Sequence, residues 1–594
     1  METVNHLCAQ GEKVGVVQLR LYRPFPTEQV MAAIPASAQR IAVLDRTKEP
    51  GSGGEPMYLD VVAALGEAYS RGERASMPRV IGGRYGLSSK EFTPGMVAAI
   101  YRELAAENPR ARFTIGINDD VSHLSLDYDN ELDILPEGTL SAVFYGLGSD
   151  GTVGANKNTI KILGSNAETF AQGYFVYDSK KSGSRTVSHL RFGPRPIKAP
   201  YLVRKAGFIG CHHMSIAERV DVLEFARDEA VLLVNSPFPP EQVWDSLAAP
   251  LQQGILDKRI KLYTVDATTV AREAGLPGRT NTVLQTCFFA ISGVLPKEEA
   301  ISKVKASIRK TYGRRGEEVV RRNEDAVDAA VSAMHEVPIP DKVSNSRGLL
   351  EPVPAHATGF VKSVTAAMLA GKGDDLPVSS LPDDGSYPSG TTQFEKRNVS
   401  DIVAEWDEHA CIQCGNCSLV CPHAVIRSKW YRERQLDGAP ESFQSAPLDA
   451  VGLPDARYTL QVYVEDCTGC GLCVEACPVK PLGQPNRRAI NLSPVRERKA
   501  AEIENIAFFE TIPWNERNRI DFGTVRGTQF LQPLFEFSGA CSGCGETPYL
   551  KLLTQLFGGR ATVANATGCS SILSLIHISE PTRRTPISYA VFCL

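Results

Sequence analysis

The sequence predicts a multidomain α/β protein, in which parallel-sheet α/β domains come first and a small cysteine-rich module is inserted before a further domain begins. Three observations carry this. A chain of 594 residues is too long for one hydrophobic core. Strand, helix and strand patterns succeed one another near the start and again around residue 141, which implies parallel sheets. Finally, Cys411-Ile-Gln-Cys414-Gly-Asn-Cys417-Ser-Leu-Val-Cys421-Pro422 is echoed by Cys467-Thr-Gly-Cys470-Gly-Leu-Cys473-Val-Glu-Ala-Cys477-Pro478.

Residues 1–115 read as the first α/β unit. The opening residues form a short helix or coil, and Val14-Gly-Val-Val-Gln-Leu reads as a buried strand. Pro26-Thr27-Glu28 opens a helix to about Ala33, and Arg40–Asp45 is a second strand. Glycines 51, 53 and 54 make a loop before a helix over Tyr58–Tyr69. Asp45 and that loop read as a turn at the carboxyl edge of the sheet rather than as a binding site.

Residues 116–345 read as a second α/β unit. The strand Ser141–Tyr145 runs into Gly146-Leu-Gly148-Ser149-Asp150-Gly151-Thr152-Val153-Gly154, followed by a helix to about Gln172 and a strand over Tyr174–Asp178. Gly146, Gly148 and Gly151 fit G-x-G-x-x-G between strand and helix, where backbone N–H groups can receive a diphosphate. Asp178 suits a ribose hydroxyl, as in NAD sites. Lys180 and Lys181 beside it suit an extra ribose phosphate, as in coenzyme A or NADP. A glycine turn serving only close strand–helix packing is the structural alternative. Cys211-His212-His213 reads as a packed or exposed histidine pair at a strand end rather than as a metal site. A helix over Ser215–Ala226 and a parallel-type strand over Ala230–Asn235 follow.

Residues 346–400, rich in Pro, Gly, Ser and Asp, make a linker or small irregular domain. Residues 401–510 hold the paired cysteine runs, each C-x2-C-x2-C-x3-C-P, the spacing of a bacterial-type 2[4Fe–4S] ferredoxin α+β module. Three thiolates on a tight loop hold three corners of a cube, and the fourth starts a helix leading to the other cube. One cluster is therefore assigned to Cys411, Cys414, Cys417 and Cys477, and the other to Cys467, Cys470, Cys473 and Cys421. Zinc favours ligands in two pairs, and disulfides would need an oxidising compartment; neither suits the doubled set. The long stretch between Cys421 and Cys467 exceeds what a minimal module needs and marks an insertion. Beyond residue 520, Cys541-Ser-Gly-Cys544-Gly-Glu546 precedes a helix over Tyr549–Phe557. A strand over Ala561–Asn565 then leads to Cys569. Three thiolates are one short of a cube.

Composition narrows the function classes. A net charge of −4 and the absence of any polybasic run argue against nucleic acid as a partner. No apolar stretch reaches the roughly 20 residues that span a bilayer, and the first residues lack a signal-peptide pattern. Of 15 cysteines, eleven fall in the paired motifs and the later group, a usage that points to a reducing, anaerobic cytoplasm.

With these residues placed, the chain resembles the pyruvate:ferredoxin (flavodoxin) oxidoreductases, thiamine-diphosphate enzymes of anaerobic metabolism. Gly146–Lys157, the two cysteine runs, Gly539–Pro548 and Asn565–Ser571 carry the resemblance, in family order, from residue 1 to about residue 573. It implies a transketolase C-terminal-like domain over 1–115, a coenzyme A-binding domain over 116–345, a ferredoxin domain over 401–510 and the start of a thiamine-diphosphate domain over 511–573. It places coenzyme A contacts on Ser149, Asp150, Gly151, Thr152, Val153 and Lys181, and more loosely on Asn281 and Asn323. It gives a third cluster to Cys541, Cys544 and Cys569, and thiamine-diphosphate contacts to Glu546, also the expected catalytic residue, and Cys569. Mg2+ accompanies that cofactor in the family.

The implied activity is oxidative decarboxylation of pyruvate to acetyl-CoA and CO2, with electrons passed through three [4Fe–4S] clusters to ferredoxin or flavodoxin. A homodimer is the implied assembly. Competing readings are an electron-transfer subunit with a nucleotide-binding domain and no carbon chemistry, and a relative passing electrons to NADP. Two departures from the family stand out: its N-terminal pyrimidine domain is missing, and the pattern stops after Cys569. The chain therefore reads as an internal fragment, inactive alone, and residues 574–594 as a spurious tail.

Overall fold

The computed structural model describes residues 1–87, 90–148, 150–165, 169–177, 184–276, 279–480 and 486–563. Its first sheet holds β1 (Arg40–Asp45), β2 (Arg79–Arg84) and β3 (Arg112–Thr114), parallel and in that order, with Arg40 opposite Arg79 and Gly82 opposite Arg112. Helix Pro56–Ser70 buries Val61 and Leu65 against Val43 on one face, while Met96 and Ile100 pack with Ile81 and Phe113 on the other. The Asp45 carboxylate receives the Met57 and Tyr58 amides at 2.9 and 3.0 Å, satisfying donors that the start of that helix leaves free. Asp45 is thus part of the turn at the sheet edge. The expected strand at Val14–Leu19 does not form. This stretch finds no ladder partner, and Val16 and Val17 are exposed, so apolar composition alone was not enough.

The second sheet runs β10-β9-β8-β7-β4-β6-β5, from β4 (Leu140–Leu147), β5 (Phe170–Tyr177), β6 (Arg185–Gly193), β7 (Ala206–Cys211), β8 (Ala226–Asn235), β9 (Lys261–Val265) and β10 (His335–Glu336). β4, β7, β8 and β9 are parallel, whereas β6, β5 and β10 are antiparallel to their neighbours. Successive β4 side chains go to opposite cores. Phe144 joins Phe208 and Phe288, and Val143 joins Ile209, Leu232 and Val234. Both faces are therefore buried, as parallel strands require.

Three expectations for this unit need correction. Helix Thr152–Gly164 is shorter than the one read to about Gln172, because Phe170 already starts β5. β5 is an edge strand hairpinned to β6, not a parallel neighbour of β4. The helix over Ser215–Ala226 ends at Ala217: the Asp221 carboxylate takes the Leu223 amide at 2.9 Å, and Ala226 enters β8 beside Ala206.

Residues 348–400 form short single turns, including a π-helical turn at Val361–Thr365, packed around Val353, Ala357 and Val361. They reach the cysteine-rich module through Lys396 to Asp466 at 3.2 Å. That module pairs β11 (Ile402–Trp406) antiparallel with β15 (Ile490–Pro494). The insertion between its cysteine runs builds a sheet of its own, β12-β14-β13, from β12 (Ile426–Arg432), β13 (Ala446–Pro447) and β14 (Ala456–Val462). Helix Thr547–Phe557 is the last helix among the described residues. Residues 561–563 are not a strand, and the remainder of the one expected there lies outside the described residues. Among the described residues no helix is long and apolar enough to cross a membrane.

Candidate iron–sulfur centre and nucleotide loop

Each cysteine run makes a tight loop that turns into a helix of five residues, Asn416–Val420 in the first and Leu472–Ala476 in the second. Gly415 and Gly471 precede these helices at φ 78° and 79°, values that glycine adopts without the clash a Cβ brings. A Cβ on Gly469 (φ 65°) would also stand 2.6 Å from the Ile402 carbonyl.

The loops enclose two recesses. One, of about 330 Å3, is lined by Cys411, Cys414, Cys417 and Cys477, with Trp406 and Tyr458 in its wall. The other, of about 320 Å3, is lined by Cys421, Cys467, Cys470 and Cys473, with His423, Ile426 and Leu492. Each run thus contributes three thiols to one recess and one to the other. All thirteen cysteines among the described residues are free thiols. Nowhere among those residues do three His, Cys, Asp or Glu side chains converge on a point that would hold one metal ion. Four thiols spread around a recess suit a cube; zinc would draw its sulfurs to about 2.3 Å from one centre. Burial pushes the Cys467 and Cys473 thiols up, to about 11 and about 12, and raises Cys411 and Cys417 as well. Thiols in such surroundings stay protonated and inert until a metal takes the thiolate.

The third cysteine group stands beside the second recess. Phe537 N–H donates to the His423 carbonyl at 2.9 Å, and Ser538 Oγ to that of Pro422 at 2.9 Å. The chain then presents Cys541 and Cys544, both half-buried. Cys569 lies outside the described residues. Glu546 is exposed where helix Thr547–Phe557 begins. Thiamine diphosphate therefore finds only one of its two expected contacts among the described residues.

That helix buries Thr547, Lys551, Thr554 and Gln555, a helical face that is polar throughout. Lys551 is 2% exposed, and its Nζ donates to the Ser418 carbonyl. Burial lowers its pKa to about 8, against the opposing pull of the Cys421 and Cys417 sulfurs. Sequence reasoning passed over this lysine. The signal was there, since 547, 551, 554 and 555 share one helical stripe.

The glycine loop after β4 is organised by Asp150. Its carboxylate accepts Leu147 N–H at 2.7 Å, Thr152 N–H at 2.7 Å and Thr152 Oγ–H at 2.9 Å. With that hydroxyl proton committed, Thr152 Oγ must accept from His212 Nδ1–H, 2.7 Å away. His212 is 5% exposed, its Nε2 has no partner among the described residues, and burial holds its pKa well below the usual imidazole range. His212 is thus packed, as one of the two sequence readings had it, but its place under the loop was missed. Register explains the placement: Tyr145 lies opposite Cys211, so the residue after β7 meets the loop after β4.

Gly151 has φ 90° and faces Asn281, whose Cγ would lie 3.1 Å from a Cβ there. Asp150, Gly151, Thr152 and Asn281 are therefore brought together, and Val153 follows in the first turn of helix Thr152–Gly164. Asn323 instead donates to the Val319 carbonyl of its own helix at 2.8 Å. Ser149 and Lys181 lie outside the described residues. At the start of β6, Arg185 lies opposite Leu147 and Thr186 opposite Tyr177.

Comparison with known proteins settles the family. Residues 141–333 match the family model described as pyruvate ferredoxin/flavodoxin oxidoreductase. Residues 1–87 match pyruvate:ferredoxin oxidoreductase core domain II, residues 410–480 a 4Fe-4S dicluster domain, and residues 348–400 a domain of unknown function. A putative pyruvate-flavodoxin oxidoreductase of Synechocystis is 54% identical over 572 residues, 96% of this chain and 47% of its own length. The chain belongs to the pyruvate:ferredoxin/flavodoxin oxidoreductase family. Other members include the pyruvate-flavodoxin oxidoreductase of Trichormus variabilis, 53% identical over 96% of this chain and 48% of its own. The pyruvate:ferredoxin oxidoreductase of Moorella thermoacetica is 48% identical over the same shares. The chain spans about half the length of these relatives. Family membership and the dicluster match establish the module of residues 410–480 as an iron–sulfur one.

Proposed function

We propose that this chain is the coenzyme A-binding and electron-conducting portion of an enzyme that oxidatively decarboxylates pyruvate to acetyl-CoA and CO2. The observation that carries the reading is the pair of four-thiol recesses with crossed ligands, in a chain related along 96% of its length to pyruvate-flavodoxin oxidoreductases. Cys411, Cys414, Cys417 and Cys477 hold one [4Fe–4S] cluster, and Cys421, Cys467, Cys470 and Cys473 the other. Cys541, Cys544 and Cys569 contribute to a third. When bound, thiamine diphosphate with Mg2+ supplies carbanion chemistry for the 2-oxoacid, and the clusters supply one-electron transfer. Glu546, as catalytic residue, and Cys569 line the thiamine cofactor.

This chain's own residues bind, orient and exclude water. Thr152 and Asp150 shape the glycine loop, and with Ser149, Gly151, Val153, Lys181, Asn281 and Asn323 they contact coenzyme A. The loop joins the start of helix Thr152–Gly164, where Asp150 holds the Thr152 N–H and the Val153 and Gly154 amides of the first turn are the donors for a diphosphate. The walls around the thiols, Trp406 and Tyr458 on one side and Ile426 and Leu492 on the other, keep solvent away. Electrons leave for ferredoxin or flavodoxin. The five units divide at 1–115, 116–345, 346–400, 401–510 and 511–573, and the assembly is a homodimer in a reducing cytoplasm.

Two measurements test this. Anaerobic reconstitution should give about eight irons in the paired sites and interacting reduced EPR signals; zinc held in their place would end the cluster reading. Calorimetry should show coenzyme A binding more tightly than its dephospho form, because Lys180 and Lys181 complement the extra phosphate. Equal affinities would remove coenzyme A specificity from the proposal.

A further inference from the structure

Lys551 reaches the short helix that links the two recesses. Its ammonium holds the carbonyl of Ser418, in the helix Asn416–Val420 that carries Cys417 of one recess and leads into Cys421 of the other. Among the described residues no carboxylate pairs with it. The groups that act on its charge are the Cys421 and Cys417 sulfurs, once a cluster holds them as thiolates, and the Arg427 guanidinium, which has its own partner in Glu536 at 2.6 Å.

A second buried lysine shows the contrast. Lys429 gives its protons to the Phe509 and Ile512 carbonyls and lies over the rings of Phe509 and Trp514. No thiol is among the groups acting on its charge. A buried ammonium with no counter-charge costs several kcal/mol, so a chain keeps one where an anion comes to meet it. A cube with four thiolates is such an anion, and it gains a further negative charge on reduction. Net charge and hydrogen bonding near the sulfurs set cluster potentials.

We propose that Lys551 is the shared counter-cation of both clusters, raising both reduction potentials by stabilising their reduced forms. This rests on the reading that the recesses hold [4Fe–4S] clusters. The cation comes from the helix that follows Cys541 and Cys544, so docking of that helix and readiness of the pair to accept electrons are one event.

The test uses the whole chain, reconstituted anaerobically, with iron content measured first and midpoint potentials then followed by EPR-monitored titration. Failure of the wild-type chain to bind about eight irons would remove the underlying reading; the variants test the lysine. In Lys551→Met both midpoints should move to more negative values, whereas Lys551→Arg should keep them near the wild type. Lys429→Met should leave both in place. Unmoved midpoints in an iron-replete Lys551→Met chain would overturn the proposal. So would movement of one midpoint alone, or an equal movement in Lys429→Met. Should Lys551→Met lose its iron, Lys551→Arg decides: native midpoints uphold the counter-charge, and loss of iron there too assigns Lys551 to packing.

Discussion

The hydroxyls of Thr468 and Ser542 lie 3.1 Å apart, joining the loop of Cys467 and Cys470 to the loop of Cys541 and Cys544. Thr468 lines the second recess, so the third cysteine group adjoins that recess and not the one closed by Cys477. Thr468→Val should change overall stability by less than about 1 kcal/mol, as expected for an exposed hydrogen bond. Hydrogen exchange at the Cys544 amide, which donates to the Cys541 carbonyl at 3.1 Å, should quicken while helix Thr547–Phe557 stays protected. Unchanged exchange would show that the two loops hold their positions independently.

Cys477→Ser takes a thiol from the recess that Cys411, Cys414 and Cys417 form, although Cys477 lies in the other run. Freshly reconstituted protein should keep about four irons and show the EPR signal of one isolated cluster. Loss of the cluster nearer in sequence, that of Cys467, Cys470 and Cys473, would refute the crossed arrangement.

Asp150→Asn replaces an acceptor of three hydrogen bonds by a group with one acceptor oxygen. The loop should lose order, with a stability cost of about 1–3 kcal/mol and coenzyme A affinity at least about tenfold weaker, or about 1.4 kcal/mol. Isothermal calorimetry beside a thermal melt separates the two effects, and full affinity in the variant would detach Asp150 from the site.

Arg427 and Glu536 form a buried pair 2.6 Å apart, and the guanidinium also lies 4.5 Å from the Tyr463 ring. Glu536→Gln leaves that buried cation only the more distant Glu510, 3.9 Å away, so up to about 3–5 kcal/mol of stability should go. Arg427→Met with Glu536→Leu should cost less than the two single changes added together. Denaturant titrations of the four proteins give the coupling, and simple additivity would argue against direct pairing.

His189 is buried, and burial, assisted by Arg191, lowers its pKa to about 4 from a free value near 6.5. Between these values the unfolded chain binds the proton and the folded chain does not. Stability from this site is therefore complete above about pH 6.5 and falls as pH drops toward 4, by up to about 3 kcal/mol. His189→Gln should flatten that part of the melting temperature against pH; a curve identical to the wild type would exonerate the histidine.

The parts legible in the sequence were those fixed by local chemistry. The doubled cysteine spacing grouped all eight thiols of the two recesses, and the glycines before Thr152 marked the strand, loop and helix over residues 140–164. What escaped depended on partners remote in sequence. Val14–Leu19 had the composition of a strand but no ladder to join, and Phe170–Tyr177 entered the sheet by pairing with a later strand. Helix Thr547–Phe557 was legible as a helix. That Lys551 lies on its inner face follows from docking against Ser418, which local sequence does not specify. The link of His212 to Thr152 is remote in the same way, since it arises only when β7 lies beside β4.

The two five-residue helices bear on how the module fails. Helices of Asn416–Val420 and Leu472–Ala476 are far below the roughly 12–15 residues at which an isolated helix begins to persist. Each is clamped at its ends by thiols belonging to different recesses, Cys417 and Cys421 in one, Cys473 and Cys477 in the other. Oxidative loss of one cluster frees one end of both helices and leaves each a loose arm on the survivor. The intact cluster then meets solvent and oxidant through a wall that no longer holds, so damage spreads from one to the other. Half-loaded chains should be short-lived, with the population dividing between fully charged and bare molecules.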